Sequence, residues 1–313
     1  MELEEAVQIL RDTVEELRKV YVGKVEVVKL AVTTLFSGGH LLIEGYPGTG
    51  KTLLAKSLSK VIRGEFRRVQ GHPDILPTDI LGFHVYRLDG SKEFVKGPVF
   101  TNILMIDELN RVPTRSQAAL LEAMQEYRVT IDGIPYSLPK PFMVIATEVS
   151  PKITVGAYQI METLADRFAV RVPSYYNPPE DEVEIVRRAT MIVDLPVSPV
   201  TMPEAVLSIS NKINELVHVS DAISDYIVRL VTYLRNHEAV LYGPSHRASI
   251  HLAIISRAYA LMDGRDYVIP DDVKSLAIPV IAHKIRVKDE YEAEGVTPES
   301  LVEEALDKMP VPK

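Results

Sequence analysis

Residues 40–55 read His-Leu-Leu-Ile-Glu-Gly-Tyr-Pro-Gly-Thr-Gly-Lys-Thr-Leu-Leu-Ala. Leu41-Leu42-Ile43 predicts a short buried strand, and Leu53-Leu54-Ala55 opens a helical pattern. Between them, Gly45-Tyr46-Pro47-Gly48-Thr49-Gly50-Lys51-Thr52 fits G-x-x-x-x-G-K-[ST] in full, in the strand–loop–helix context that the motif requires. Glycines let backbone N–H groups curl around phosphate oxygens, and the helix N-terminus adds a favourable dipole. Lys51 is expected to reach the β- and γ-phosphates of ATP, and the Thr52 hydroxyl to bind Mg²⁺, with Gly45–Leu53 as the nucleotide-binding stretch. Average residue frequencies give about a 1% chance of one such match in a chain of this length.

A second run, Asn102-Ile103-Leu104-Met105-Ile106-Asp107-Glu108, is an apolar strand ending in two carboxylates. Ligands in open α/β sheets sit at strand ends. Asp107 is therefore expected to hold Mg²⁺, directly or through water, and Glu108 to polarise the attacking water. Two acids after an apolar run often only end a strand. Here the phosphate loop upstream gives them a partner and a role in one cleft.

Around these two anchors, apolar runs at 40–43, 67–70, 102–106, 143–146 and 169–172 alternate with helical patterns that include 51–62 and 114–127. Continuous apolar strands separated by helices predict an α/β fold with a mostly parallel sheet covered on both faces. Residues 3–17 carry Leu3, Val7, Leu10, Val14 and Leu17 on one face of an amphipathic helix. A hairpin is predicted at 83–94, and Asp132-Gly133 marks a tight turn within 129–138. After Asn177-Pro178-Pro179 strand signals stop, and helical patterns run over 180–190, 203–218, 221–237, 245–262, 270–285 and 298–308. The 313 residues suit two domains, 1–178 as the nucleotide-binding core and 179–313 as an all-helical domain.

Composition narrows the function classes. With 46% hydrophobic and 25% charged residues the chain reads as an ordinary globular protein. No apolar run is long enough to span a bilayer, and Glu2, Glu4 and Glu5 at the start are unlike a targeting segment, so a cytoplasmic location is expected. The absence of cysteine excludes disulfides, thiolate metal sites and a cysteine nucleophile. A net charge of −8 argues against nucleic acid as the principal partner. The eight histidines form no H-E-x-x-H pattern, and no G-x-S-x-G is present. Arg67-Arg68, Arg187-Arg188 and Lys140 read as solvated faces.

Beyond the two nucleotide motifs, the chain resembles the MoxR family of AAA+ ATPases over residues 20–285. The resemblance is carried by residues 38–58, by 69–82 ending Leu76-Pro77-Thr78-Asp79-Ile80-Leu81-Gly82, and by Gly97-Pro98-Val99-Phe100. It continues in Asp107-Glu108-Leu109-Asn110-Arg111-Val112-Pro113 with Gln117-Ala118-Ala119-Leu120-Leu121-Glu122-Ala123-Met124-Gln125-Glu126. Gly243-Pro244-Ser245-His246-Arg247-Ala248-Ser249 and residues 264–273 complete it. The resemblance implies a P-loop core of five strands in the order 5-1-4-3-2, a helical lid, and an insert in the second helix at 83–94. It also implies ring homo-oligomers, usually hexamers, with nucleotide between subunits.

Three sites follow from that resemblance. Arg167, in Leu164-Ala165-Asp166-Arg167-Phe168, falls at the family's arginine finger, which reaches a neighbour's γ-phosphate. Arg247 falls at the lid arginine called sensor 2, which reads the γ-phosphate in cis. Val22-Gly23-Lys24 falls at the adenine-contacting turn, with Lys24 in place of the usual glutamine. One segment departs from the family. Where members show Ala-Thr-Gln-Asn-Pro, this chain has Ala146-Thr147-Glu148-Val149-Ser150-Pro151. The sensor asparagine is missing, Ser150 or Glu148 is left to take the polar role, and Gly156-Ala157-Tyr158 lacks the family's proline–glutamate wording.

The family implies a chaperone-like ATPase that remodels or matures protein complexes, with clients bearing von Willebrand factor A-type domains. A nucleic-acid motor is the alternative, since related AAA+ branches include helicases. A nucleotide switch with little hydrolysis is the second, motivated by the missing asparagine.

Overall fold

Alternation along the strands decides how the central sheet is buried. The structure is a computed structural model that describes residues 2–149, 158–190 and 196–312. In chain order the first part runs α1 (Leu3–Arg18), α2 (Val25–Phe36), β1 (Leu41–Gly45), α3 (Lys51–Val61), β2 (Phe66–Gln70), α4 (Pro77–Leu81), β3 (Gly82–Tyr86), β4 (Lys92–Lys96) and β5 (Ile103–Asp107). It continues α5 (Thr114–Ala118), α6 (Leu120–Glu126), β6 (Arg128–Ile131), β7 (Ile134–Ser137), β8 (Met143–Glu148), α7 (Glu162–Ala165), β9 (Val170–Ser174) and α8 (Pro179–Arg187). Helices then dominate, at Pro203–Leu216, Asp221–Arg235, His246–Asp263, Pro270–Ile281, Asp289–Ala293 and Pro298–Lys308.

The sheet order is β2-β5-β8-β1-β9, with every pairing parallel. Counting the five core strands in sequence, this is 5-1-4-3-2, the order that the family resemblance implies. Leu41 and Ile43, Ile103 and Met105, Met143 and Ile145, and Val170 and Val172 bury one face beneath α1, α2 and α3. Leu42, Leu104 and Ile106, and Val144 and Ala146 bury the other, beneath α5 and α6. Period-two alternation with both faces covered is why the strands read as unbroken apolar runs. Strand β2 lies at an edge and carries exposed Arg67 and Arg68, charges that discourage further pairing there.

Two antiparallel hairpins stand off the sheet, β3–β4 and β6–β7. The second turns on Asp132 (φ 49°) and Gly133 (φ 79°), the positive angles that the Asp-Gly signal demands. The expected helix over 114–127 is α5 and α6, meeting at Ala119. The expectation that strands end with the core is corrected: Val240–Tyr242 pairs antiparallel with Arg286–Val287 among the helices. These strands of three and two residues are too short to show a period.

The late helices share one continuous apolar cluster with α1, α2 and β9, running from Ala6 through Tyr226 and Leu252 to Ala305. Arg11 on α1 fastens this arrangement, with Nε donating to the Met262 carbonyl (2.9 Å) and a terminal nitrogen to that of Asp263 (2.8 Å). Those carbonyls close the helix His246–Asp263, where the chain offers no further N–H and a cation is favoured.

Gly45 ends β1 opposite Ser174, and a Cβ there would lie 1.9 Å from the Ser174 carbonyl oxygen. Gly45→Ala is therefore expected to destabilise the fold by about 1–3 kcal/mol through forced separation of β1 and β9. Thermal melting without nucleotide measures it, and an unchanged midpoint contradicts the close approach.

Candidate nucleotide site

The parallel sheet delivers the loop after β1 and the acids after β5 to the same end. Gly50 caps α3 at φ 84°, a left-handed angle open to glycine at little cost. Thr49 Oγ1 donates to the Tyr46 carbonyl (3.0 Å) and accepts from Ser174 Oγ (2.9 Å), tying the loop to itself and to β9. Lys51 Nζ turns back onto the loop, donating to the carbonyls of Gly45 and Tyr46. Burial pushes its pKa down, and the carboxylates of Asp107 and Glu108 oppose that shift.

A cavity of about 290 Å³ is lined by Pro47–Leu53 together with Arg68, Asp107, Glu108, Thr147 and Val149. Lys51, Thr52, Asp107 and Glu108 thus meet in one cleft. Thr147 Oγ1 donates to Asp107 Oδ1 (2.6 Å) and accepts from the Glu108 N–H (2.9 Å), fixing both acids with one hydroxyl. Glu108 sits at φ 58°, an uncommon angle for a residue with a side chain, and its Oε2 lies 2.6 Å from Arg111 Nε. Strain at such a position is retained where neighbours over-determine it, and here they are the Thr147 and Arg111 contacts.

The donor set suits Mg²⁺, a hard cation that takes oxygen ligands and keeps several waters. Thr52 and Asp107, which carry oxygen donors, line the cavity, and among the described residues no three His, Asp or Glu side chains converge as a metal cage. A magnesium ion held here would therefore lean on phosphate oxygens. Arg68 is exposed, as its reading as a solvated face expects, and its guanidinium also pairs with Asp107 Oδ2 and lines this cavity. Arg67, beside it, pairs with Glu65 outside.

A second cavity of about 340 Å³ adjoins the loop, lined by Val20, Tyr21, Val22, Gly48–Gly50, Leu53, Tyr175, Tyr176, Asn177, Glu182 and Ile185. Tyr46 stacks on Tyr176 with ring centres 4.9 Å apart, so the loop residue supports the aromatic wall. Val22 lines the cavity. Gly23 turns the chain behind it at φ 100°, and Asn177 Nδ2 donates to the Val22 carbonyl (3.1 Å). Lys24 lies with Nζ 5.5 Å from the centre of the Tyr175 ring. Tyr21, Tyr175 and Tyr176 were not singled out in the sequence, and Asn177 was read there only as a domain boundary.

Glu148 and Ser150 were the candidates for the polar sensor role. Ser150 and the segment to Ala157 lie outside the described residues. Glu148 faces away from the phosphate cavity, across from Glu44 on β1 and near Arg171, while Thr147 and Val149 line the cavity. Burial pushes the Glu148 pKa up to about 7, with the Glu44 carboxylate adding to the shift and Arg171 opposing it.

Arg167 and Arg247 do not join the cleft. Arg247 bonds the Asp166 carboxylate, which also accepts from Ser245 Oγ (2.7 Å). Asp166 precedes β9, and β9 runs parallel to β1 with Val170 beside Leu41 and Ser174 beside Gly45. At strand rise the two ends are about 13 Å apart. The in-cis placement of Arg247 is thus not what the structure holds: the late helices pack on β9 and α2 and carry Arg247 to the far end of the sheet. Arg167 donates to Thr163 O and to Gln125 Oε1 (2.7 Å), and its Nε has no partner. Burial pushes its pKa down, the Arg247 cation adds to that, and Asp166 opposes it.

A glycine-rich phosphate loop, an acidic strand end and a five-stranded parallel sheet define a P-loop nucleotide-binding fold. Residues 40–170 match the family model described as "ATPase family associated with various cellular activities (AAA)", and residues 232–305 match "AAA lid domain". The chain is 36% identical over 308 residues to the uncharacterized protein YeaC of Bacillus subtilis, covering 97% of this chain and 95% of that protein. It is 36% identical over 327 residues to Chaperone MoxR1 of Mycobacterium tuberculosis, covering 98% and 83%. The crystal structure of an ATPase candidate from Cytophaga hutchinsonii superposes with a TM-score of 0.90 at 36% identity, covering 99% of this chain and 97% of that one. The chain belongs to the MoxR family of AAA+ ATPases.

Glu148 yields a pH prediction with a definite sign. Its pKa in the fold lies above the ordinary value of 4.5, so the folded state carries a penalty that is absent below 4.5, grows as pH rises, and is full above about 7. Glu148→Gln is expected to gain about 1–3 kcal/mol at pH 8 and nothing below pH 4.5. Melting across that range measures it, and a gain independent of pH contradicts the assignment.

Proposed function

We propose that the chain hydrolyses ATP with Mg²⁺ at sites shared between copies in a ring, and uses that cycle to remodel protein complexes. The reading rests on one observation. The phosphate cavity gathers Lys51, Thr52, Asp107 and Glu108, yet Arg167 and Arg247 lie at the opposite end of the same sheet. Phosphoryl transfer needs cations to offset charge on the γ-phosphate, and guanidinium groups suit that task. A second copy placing its Arg167 end against this cavity completes the set, which favours a closed ring over a lone chain. Six copies is the count that the MoxR family implies. In this reading residues 179–313 act as the lid, and Arg247 serves beside Arg167 in trans.

Lys51 exchanges its bonds to the loop carbonyls for bonds to the β- and γ-phosphate oxygens. Glu108 orients and polarises a water for in-line attack on the γ-phosphorus. The bond to the β–γ bridging oxygen breaks, ADP keeps that electron pair, and inorganic phosphate leaves. Thr52 and Asp107 would hold the magnesium ion, which supplies charge neutralisation on the phosphates when bound. The nucleoside would lie in the cavity walled by Tyr21, Val22, Tyr175 and Tyr176.

Protein clients are favoured by the name of the Mycobacterium tuberculosis relative, a chaperone. Clients with von Willebrand factor A-type domains, and a cytoplasmic site of action, extend the family resemblance. The net charge of −8 weighs against a nucleic-acid motor.

Glu108→Gln is expected to bind ATP within about twofold of wild type and to lose turnover by about a hundredfold or more, as loss of a water-positioning group does. Lys51→Ala is expected to lose ATP binding itself. Equilibrium binding and phosphate release measure the two. Wild-type turnover no higher than that of Glu108→Gln, with binding intact, would make the chain a nucleotide switch instead.

A further inference from the structure

Lys284 is a buried lysine outside the candidate nucleotide site. It follows the helix Pro270–Ile281 in a short 3₁₀ turn and is 4% exposed. Its Nζ donates to the Asp166 carbonyl (3.0 Å) and to the Phe168 carbonyl. His283 Nε2 donates to the same Phe168 carbonyl (2.9 Å). Ser245 and Arg247 hold the Asp166 carboxylate. Asp166 and Phe168 flank Arg167 on either side. Every one of these anchors comes from the late helical part of the same chain, whereas the Arg167 guanidinium donates to Thr163 and Gln125.

We infer that Lys284 is a positioning residue for Arg167: it locks the backbone on both sides of that arginine to the helical part of its own chain, so the orientation of the late helices sets the aim of Arg167 at a neighbour's γ-phosphate. The inference rests on the proposed trans role of Arg167. Its physical basis is backbone satisfaction. A buried carbonyl left without a donor is costly, so the two carbonyls follow Nζ wherever the 3₁₀ turn carries it. Burial pushes the Lys284 pKa down to about 7, against the pull of Asp166. Among the described residues the Lys284 hydrogen bonds go to Asp166 and Phe168, neither of which lines the phosphate cavity, so its loss falls on the neighbour's site.

The test uses mixed assemblies of full-length chains. Lys284→Met keeps the length of the side chain and removes the donors. Alone it is expected to bind ATP as wild type does and to lose about ten- to hundredfold in maximal turnover, the scale of a misaimed catalytic group. Mixed with Glu108→Gln, which cannot hydrolyse but carries an intact Arg167 segment, it is expected to recover turnover several-fold. Arg167→Ala mixed with Glu108→Gln is the control and is expected to recover as well. Recovery in the control but not with Lys284→Met overturns the positioning role and leaves the trans arginine standing. Failure of the control overturns the trans arginine, and the inference with it. Wild-type turnover in Lys284→Met alone also overturns the inference. If Lys284→Met does not fold, His283→Ala, which removes the other donor to Phe168, takes the same test with the same outcomes.

Discussion

Parallel pairing of β9 beside β1 is the constraint from which the rest follows. It sets Ser174 against Gly45 at one end and leaves Asp166-Arg167-Phe168 at the other. The phosphate loop opens where β1 ends. The acids of β5 arrive at that same end because every strand runs the same way. An antiparallel β9 would have brought Arg167 to its own chain's phosphate cavity. The parallel one separates them by a strand length, so a single chain does not bring Arg167 to its own phosphate cavity.

The helical part belongs to this arrangement through packing. Its apolar residues merge with α1, α2 and β9 into one cluster instead of closing over the phosphate loop. That location delivers Arg247, Ser245, His283 and Lys284 to the Asp166–Phe168 segment. A rotation of the late helices would therefore be felt first at Arg167. The aromatic wall of Tyr175 and Tyr176 lies on the link from β9 to α8, so the cavity proposed for the nucleoside sits at the joint between the sheet and the helices.

Much of this was legible in the residues. The five core strands were legible because both faces are buried, which leaves no polar alternation to confuse them. The loop and acidic pair were legible because phosphate chemistry fixes residue types at fixed spacing. Arg68 was not: an arginine on an edge strand reads as solvated, and only the register of β2 against β5, with Gln70 beside Asp107, shows that its guanidinium can reach that carboxylate. Thr147 stood at the end of an apolar run with no role assigned, its hydroxyl meaningful only once β8 lies beside β5. The placement of Arg247 depends on which surface the late helices cover, a tertiary fact that helical periodicity does not carry. Glu148 was weighed as a sensor from its place in the sequence, yet strand alternation turns it to the face opposite Thr147.

A site divided between copies has a signature that no single chain can imitate. Phosphate release per protomer, followed across a dilution series at saturating ATP and Mg²⁺, tests it most directly. The account predicts turnover that climbs with protein concentration and levels off as assembly completes, in step with the oligomer fraction seen by sedimentation. Turnover per protomer that stays constant down to concentrations where only single chains remain would contradict it, because one chain would then hold a complete site.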